Sequence, residues 1–358
     1  MSHCYFELVP KQTERKSITV PNIMKVLLVI FFLWVHENNS IQAQSSRKFS
    51  IKMLSSAGDP NSTVFRHAES PVWDEETQSL LFVDVHSQNV HRFDYMSGKI
   101  YTKHIGYGQV NVVALIRNSS RHLVAVRSAL YLLDWGERGD ASLRLLATVD
   151  EGKPDNVINE GAVDARGRFW AGTKGPHIGL DVMPDQAILF KIGEDTSYRP
   201  VTELKPVSIS NGLTWSLNNS LLYYIDSPTK KIEAFDYDLQ DGSISGRRTI
   251  IDISDHGYTG AAIPDGMTID ADGHLWAALM FGGTVLHIDP ERRKIVYAYK
   301  IPASRVTSLC WGGEALDELF VTTSRTDEPD SGRIYNIRGT GRRGIPAKRF
   351  KFNKADDY

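Results

Sequence analysis

Two carboxylates and one carboxamide recur at matching places along this 358-residue chain. Glu69 stands in Ala68-Glu69-Ser70-Pro71-Val72-Trp73, Asn211 in Ile209-Ser210-Asn211-Gly212-Leu213, and Asp265 in Ile263-Pro264-Asp265-Gly266-Met267. Each precedes, by four to six residues, an apolar position, then a polar turn and a second apolar run. Trp73 leads into Leu80-Leu81-Phe82-Val83, Trp215 into Leu221-Leu222-Tyr223-Tyr224, and Ile269 into Leu275-Trp276-Ala277-Ala278. A strand, a tight turn and a second strand, repeated at long intervals, set equivalent residues around one axis. The three side-chain oxygens then converge as a metal site. Oxygen ligation by two carboxylates and an amide suits a hard divalent cation such as calcium, magnesium or manganese, with zinc also possible.

The elements that must position them are strands. Short runs rich in aromatic and β-branched residues, such as 80–85, 221–225 and 284–288, are bounded by Gly, Asn and Asp. No sustained helical periodicity follows residue 43. The first strand of each repeat has an apolar anchor at Trp73, Leu115, Val163, Trp215, Ile269 and Trp311, with gaps, by subtraction, of 42, 48, 52, 54 and 42 residues. Repeats of about 40–50 residues with four strands apiece describe a β-propeller. The fold expected is all-β, a six-bladed β-propeller over residues 44–358 with a metal ion in its central channel. The last blade lacks a fourth strand. Residues 49–54 are expected to supply it, closing the ring and removing an open edge. The five tryptophans at positions 73, 170, 215, 276 and 311 are expected in the core.

Composition narrows the function. A formal charge of −2 offers no electrostatic case for nucleic acid or an acidic membrane. The segment from Arg338 to Lys354 is locally basic and reads as a solvated terminus. Near the start, Met24-Lys25 precedes ten apolar residues, 26–35, and a polar stretch ending at Ala43. That pattern is a secretory signal peptide, too short to span a membrane, so residues 1–43 are read as extension and signal. A secreted protein is expected, with no membrane attachment after signal removal and a cytoplasmic location as the alternative. Sequons at Asn61, Asn118 and Asn218 are compatible with export. Cys4 and Cys310 are the only cysteines, so no disulfide framework exists and Cys310 reads as a small buried hydrophobe.

Other chemistries lack their patterns. Asp270-Ala271-Asp272-Gly273 begins like a calcium loop but has no closing glutamate, and it reads as a hairpin turn. His86 and His91 do not have the spacing of a zinc-protease helix, and Ser210 lacks a nucleophile elbow.

From about Ser50 to Ala347 the chain resembles the family of senescence marker protein 30, or regucalcin, and its gluconolactonase relatives, insect luciferin-regenerating enzymes included. The resemblance rests on Glu69-Ser70-Pro71-Val72-Trp73, Ile209 to Ser216, Tyr224-Ile225-Asp226-Ser227, Ala234 to Asp238, and Ile263 to Asp270. It implies one divalent cation held by Glu69, Asn211 and Asp265, with Asp265 as proton donor and acceptor in lactone hydrolysis. It also implies substrate contacts at Asn159, at Val157 where the family has an arginine, and at His177 where it has a glutamate. Losing a guanidinium removes up to five donors, and Val157 thereby favours a less hydroxylated substrate. The function expected is a metal-dependent hydrolase of lactone bonds acting on a small lactone-like molecule. The alternatives are a non-catalytic calcium-binding propeller and a hydrolase of another substrate, as in the luciferin-regenerating relatives.

Overall fold

The computed structural model describes residues 49–54, 63–178 and 181–353. The leader at residues 24–43 and the sequon at Asn61 lie outside them. Six four-stranded antiparallel sheets account for the propeller, and one small hairpin, His177–Ile178 with Asp181–Val182, projects from the third. The six inner strands are Ala68–Asp74, Val110–Leu115, Val157–Val163, Ser210–Trp215, Ile263–Ile269 and Val306–Gly312. In the first five blades the remaining strands follow in chain order. The sixth is completed by Ser50–Met53, which pairs antiparallel with Ile334–Arg338, as the open edge required.

The alternation of side chains explains why these segments are strands. Inner strands such as Val110–Leu115 and Val306–Gly312 are buried throughout, whereas an outer strand such as Lys99–His104 has only half-buried and exposed positions. The core lies between blades. Trp170, Leu213 and Trp215 fill the seam of blades 3 and 4, and Trp276 meets Trp311 edge-on between blades 5 and 6. Across the closing seam Trp73 stacks on Phe320 at 5.5 Å. All five blade tryptophans and Cys310 are core residues, and Asp270–Gly273 is a hairpin turn.

The basic terminus departs from its reading as a solvated tail. Gly344 bonds to Leu316 and lies under Trp311, where a Cβ would meet the indole's own Cβ at 2.1 Å. Phe350 is fully buried beside Ile116, Arg349 pairs with Asp74 and Glu76, and Lys351 pairs with Glu194. Sequence composition counted the charges. It did not see that backbone bonds, the buried Phe350 and these ion pairs anchor the segment across five blades.

Candidate metal centre and channel mouth

Every inner strand carries a bulge, and the bulges are where the polar residues sit. Ser70-Pro71, Asn211-Gly212, Asp265-Gly266 and Thr307-Ser308 each oppose a single residue on the neighbouring strand, and Asn111 and Asn159 are single insertions. A bulge re-aims a side chain out of the strand's alternation, here into the channel. Four residues before the six anchors stand Glu69, Asn111, Asn159, Asn211, Asp265 and Thr307. That ring contains the three expected ligands and Asn159. Asn111, which the reading of motifs passed over, was legible by counting back from its anchor Leu115. It is 2% exposed and its amide oxygen has no hydrogen-bond partner.

Two strained charges and an oriented amide define the centre. Burial raises the proton affinity of Glu69 well above the ordinary range, and the charges of Asp265 and Glu160 raise it further. Burial does the same to Asp265, reinforced by Glu160 and partly offset by Lys174 and Asn211. The Asn211 Nδ2 donates to Ser227 Oγ at 2.8 Å, and that hydroxyl donates to the Pro264 carbonyl at 2.7 Å. The amide is thereby fixed with Oδ1 as its acceptor, which takes a long hydrogen bond from Asn159 Nδ2 at 3.3 Å and keeps a lone pair for an ion. Asn159 also donates to the Ser210 carbonyl at 2.9 Å, so it ties blade 3 to blade 4 as well as facing the centre.

Glu160 belongs to the same group of acids. Burial pushes it up to about 7 despite hydrogen bonds from the Gly161 amide and the Ser308 hydroxyl. Three buried carboxylates against one ammonium, Lys174, leave two negative charges, which one divalent cation would balance. The donor set therefore fits a hard divalent ion held by Glu69, Asn211 and Asp265.

Val157 is the half-buried first residue of its strand and pairs directly with Lys174. His177 is exposed on the projecting hairpin, and its affinity for a proton is lowered by partial burial and then by the charge of Lys174. Lys174 itself, half-buried at a strand end, went unnoticed in the sequence because a lysine there reads as a solvated end.

A cavity of about 390 Å³ occupies the opposite end of the channel, beneath the C-terminal segment. Glu160, Ser70 and Ser308 line it, but Glu69, Asn211 and Asp265 do not. The cavity therefore does not coincide with the three expected ligands and reaches their group only through Glu160. Asp270, His274 and His287 in blade 5 form another cluster with metal-ligand atom types. There the Asp270 carboxylate accepts from the Asp272 and His274 amides and from Trp276 Nε1, and the two imidazoles bond at 2.8 Å. Asp164 holds its own turn and Trp170 in the same way in blade 3. This second cluster is satisfied as a hydrogen-bonded turn.

A family model described as the SMP-30/Gluconolactonase/LRE-like region matches residues 67–325. Regucalcin of Xenopus laevis is 40% identical over 299 residues, covering 81% of this chain and 96% of the relative. Among solved structures, a luciferin-regenerating enzyme superposes with a TM-score of 0.78 at 27% identity, covering 85% of this chain and all of that one. A calcium-binding protein, regucalcin from Agrobacterium tumefaciens, reaches a TM-score of 0.74 at 21% identity, covering 85% and 98%, and attests the fold.

Proposed function

The chain belongs to the SMP-30/gluconolactonase/LRE-like family, and we propose that it is a divalent-metal-dependent hydrolase of lactones. The observation that carries this is the ring of Glu69, Asn211 and Asp265, two buried acids driven above their ordinary range beside an amide whose oxygen is fixed. When bound, a divalent cation polarises a carbonyl and stabilises the oxyanion that forms on it.

The chain's own residues supply the rest. Ser227 holds the Asn211 amide and Asn159 steadies its oxygen. Asp265, with raised proton affinity, takes a proton from the attacking water as its oxygen bonds to the lactone carbon. When the ring C–O bond breaks, Asp265 returns that proton to the leaving oxygen, giving the open hydroxy acid. Glu160 lies within reach of Asp265's charge and shares the task of holding protons near neutrality. Val157 offers the substrate a methyl-bearing wall instead of donors, so less hydroxylated lactones are favoured over gluconolactone.

Export by the leader at residues 24–43 is part of the same reading. Asn118 and Asn218 both stand exposed in turns with room for a glycan. Expression in insect cells should place protein beginning near Gln44 in the medium. A cytosolic product retaining its first residues would refute export.

Purified protein, stripped by chelator and reloaded with calcium, magnesium, manganese or zinc, should hydrolyse members of a lactone panel only when loaded. Tight calcium binding with no turnover of any lactone would sink the hydrolase and leave a calcium-binding propeller.

A further inference from the structure

We propose that Lys174 is the substrate-binding cation of this channel, selecting lactones that carry an anionic group, a carboxylate or a phosphate. The inference rests on the lactonase reading and extends it to substrate class.

Lys174 ends the strand Phe169–Lys174 and bridges Ile209, two residues before Asn211. Arg305 bridges Met280 and His67 bridges Ser324 at the matching junctions of other blades. All three therefore stand at the end of the propeller where the inner strands begin, close above Glu69, Asn211 and Asp265.

The charge of Lys174 is felt by Glu69 and Asp265 on one side and by His67, His86 and His177 on the other. Yet among the described residues its ammonium has no ion pair within 4.0 Å and no hydrogen bond. Two other acids at this end of the propeller are committed elsewhere. Asp84 accepts from the Arg66 and His67 amides and from Ser87, and Glu328 accepts from the Ser304 amide and Thr326. Arg66 spends its guanidinium on the His86 carbonyl, and Arg305 lies over the Phe281 ring.

A divalent cation on Glu69 and Asp265 would claim the two acids whose charge reaches Lys174. The ammonium then sits half-buried in a field balanced overall but with no oxygen bonded to it, and an anionic group arriving with the ligand supplies that partner. Val157, its cross-strand partner, brings no competing polar group. A neutral sugar hydroxyl satisfies a hydrogen bond of Lys174 but not its charge. An oxyanion satisfies both.

Three lactones separate the possibilities: a neutral aldonolactone, an aldarolactone with a free carboxylate, and a phosphorylated aldonolactone. The native, metal-loaded protein should have a higher kcat/KM for at least one anionic lactone than for the neutral one, and the better of the two anions identifies the group. Lys174→Gln should lower the anionic-to-neutral ratio about tenfold or more, and Lys174→Arg should retain it. A native ratio at or below unity, or an unchanged ratio in Lys174→Gln, overturns the assignment. Calorimetric binding of the same ligands keeps the two readings apart. Anion binding that needs Lys174 without turnover would uphold this inference while ending the lactonase one, and equal binding by native and Lys174→Gln protein would end this one. Native protein alone decides the first comparison should the variant not fold.

Discussion

Burial and the charge of Glu160 both oppose ionisation of Asp265. On the function proposed, Asp265→Ala removes a ligand and the proton acceptor together. It should abolish tight divalent binding by calorimetry and lower metal-dependent hydrolysis by about a hundredfold or more, with far-ultraviolet dichroism unchanged. Metal binding unaltered in that variant would refute the ligand assignment. Ser227 tests orientation instead of ligation. It is fully buried, and its hydroxyl accepts from the amide nitrogen of Asn211 and donates to the Pro264 carbonyl. Ser227→Ala should weaken metal affinity by about 10- to 100-fold, as loss of a partner behind a ligand does, while every ligand remains. An affinity equal to the native value would mean that the Asn211 oxygen does not ligate.

The bulged inner strand is the element that turns a repeat into a site. Its glycines let neighbouring blades approach closely enough for the ring to converge. A Cβ on Gly266 would lie 2.1 Å from Ser308 Oγ and 2.7 Å from Ser308 Cα, so backbone as well as side chain would have to move. Gly266→Ala should therefore cost about 1–3 kcal/mol, the usual penalty of overpacking, and displace the adjoining Asp265 enough to weaken metal binding. Gly152 has open space around it, yet its φ of 84° is left-handed, so Gly152→Ala is strained locally and should leave metal affinity untouched. Paired melting and calorimetry measurements on the two variants separate crowding at the channel from strain in a turn.

Closure governs the molecule as a whole. Residues 50–53 complete blade 6 and residues 344–351 strap the far end of the channel, so both contribute to one cooperative ring. Truncation after Arg343 would strip away buried Phe350 and the Arg349 pair with Asp74 and Glu76. Losing a buried aromatic costs about 3–5 kcal/mol, and for a chain of this size the melting temperature should fall by roughly 5–15 °C. A tail that merely trails in solvent would give no shift. The channel acids make a second global quantity, pH dependence, readable. Glu160 has its affinity raised from 4.5 to about 7, so the metal-free folded state keeps a proton that the unfolded chain has released. The folded state binds more protons across this window. Its stability is therefore greatest below about pH 4.5 and falls as pH rises through about 7. Glu69 and Asp265 act in the same direction. The gap in melting temperature between calcium-loaded and chelated protein should widen from pH 5 to pH 8, and a constant gap would contradict the burial of these acids in one field.

The repeat of apolar anchors, spaced by four-stranded units, was enough to specify the six-bladed ring and its closure by residues 49–54, because alternation and turn chemistry are local and survive in one dimension. Glu69, Asn211 and Asp265 were visible for the same reason: each occupies one register of the repeat. What a linear reading could not supply was contact across blades. The clasp of Ser227 on Asn211 joins residues sixteen apart through two strands. Lys174 faces acids about a hundred residues away on either side, and the basic terminus is an anchored strap. Those depend on how far each blade rotates about the shared axis and on which side chains the bulges turn inward. Only packing fixes these quantities, since the strength of a buried charge is set by neighbours that the chain brings together last.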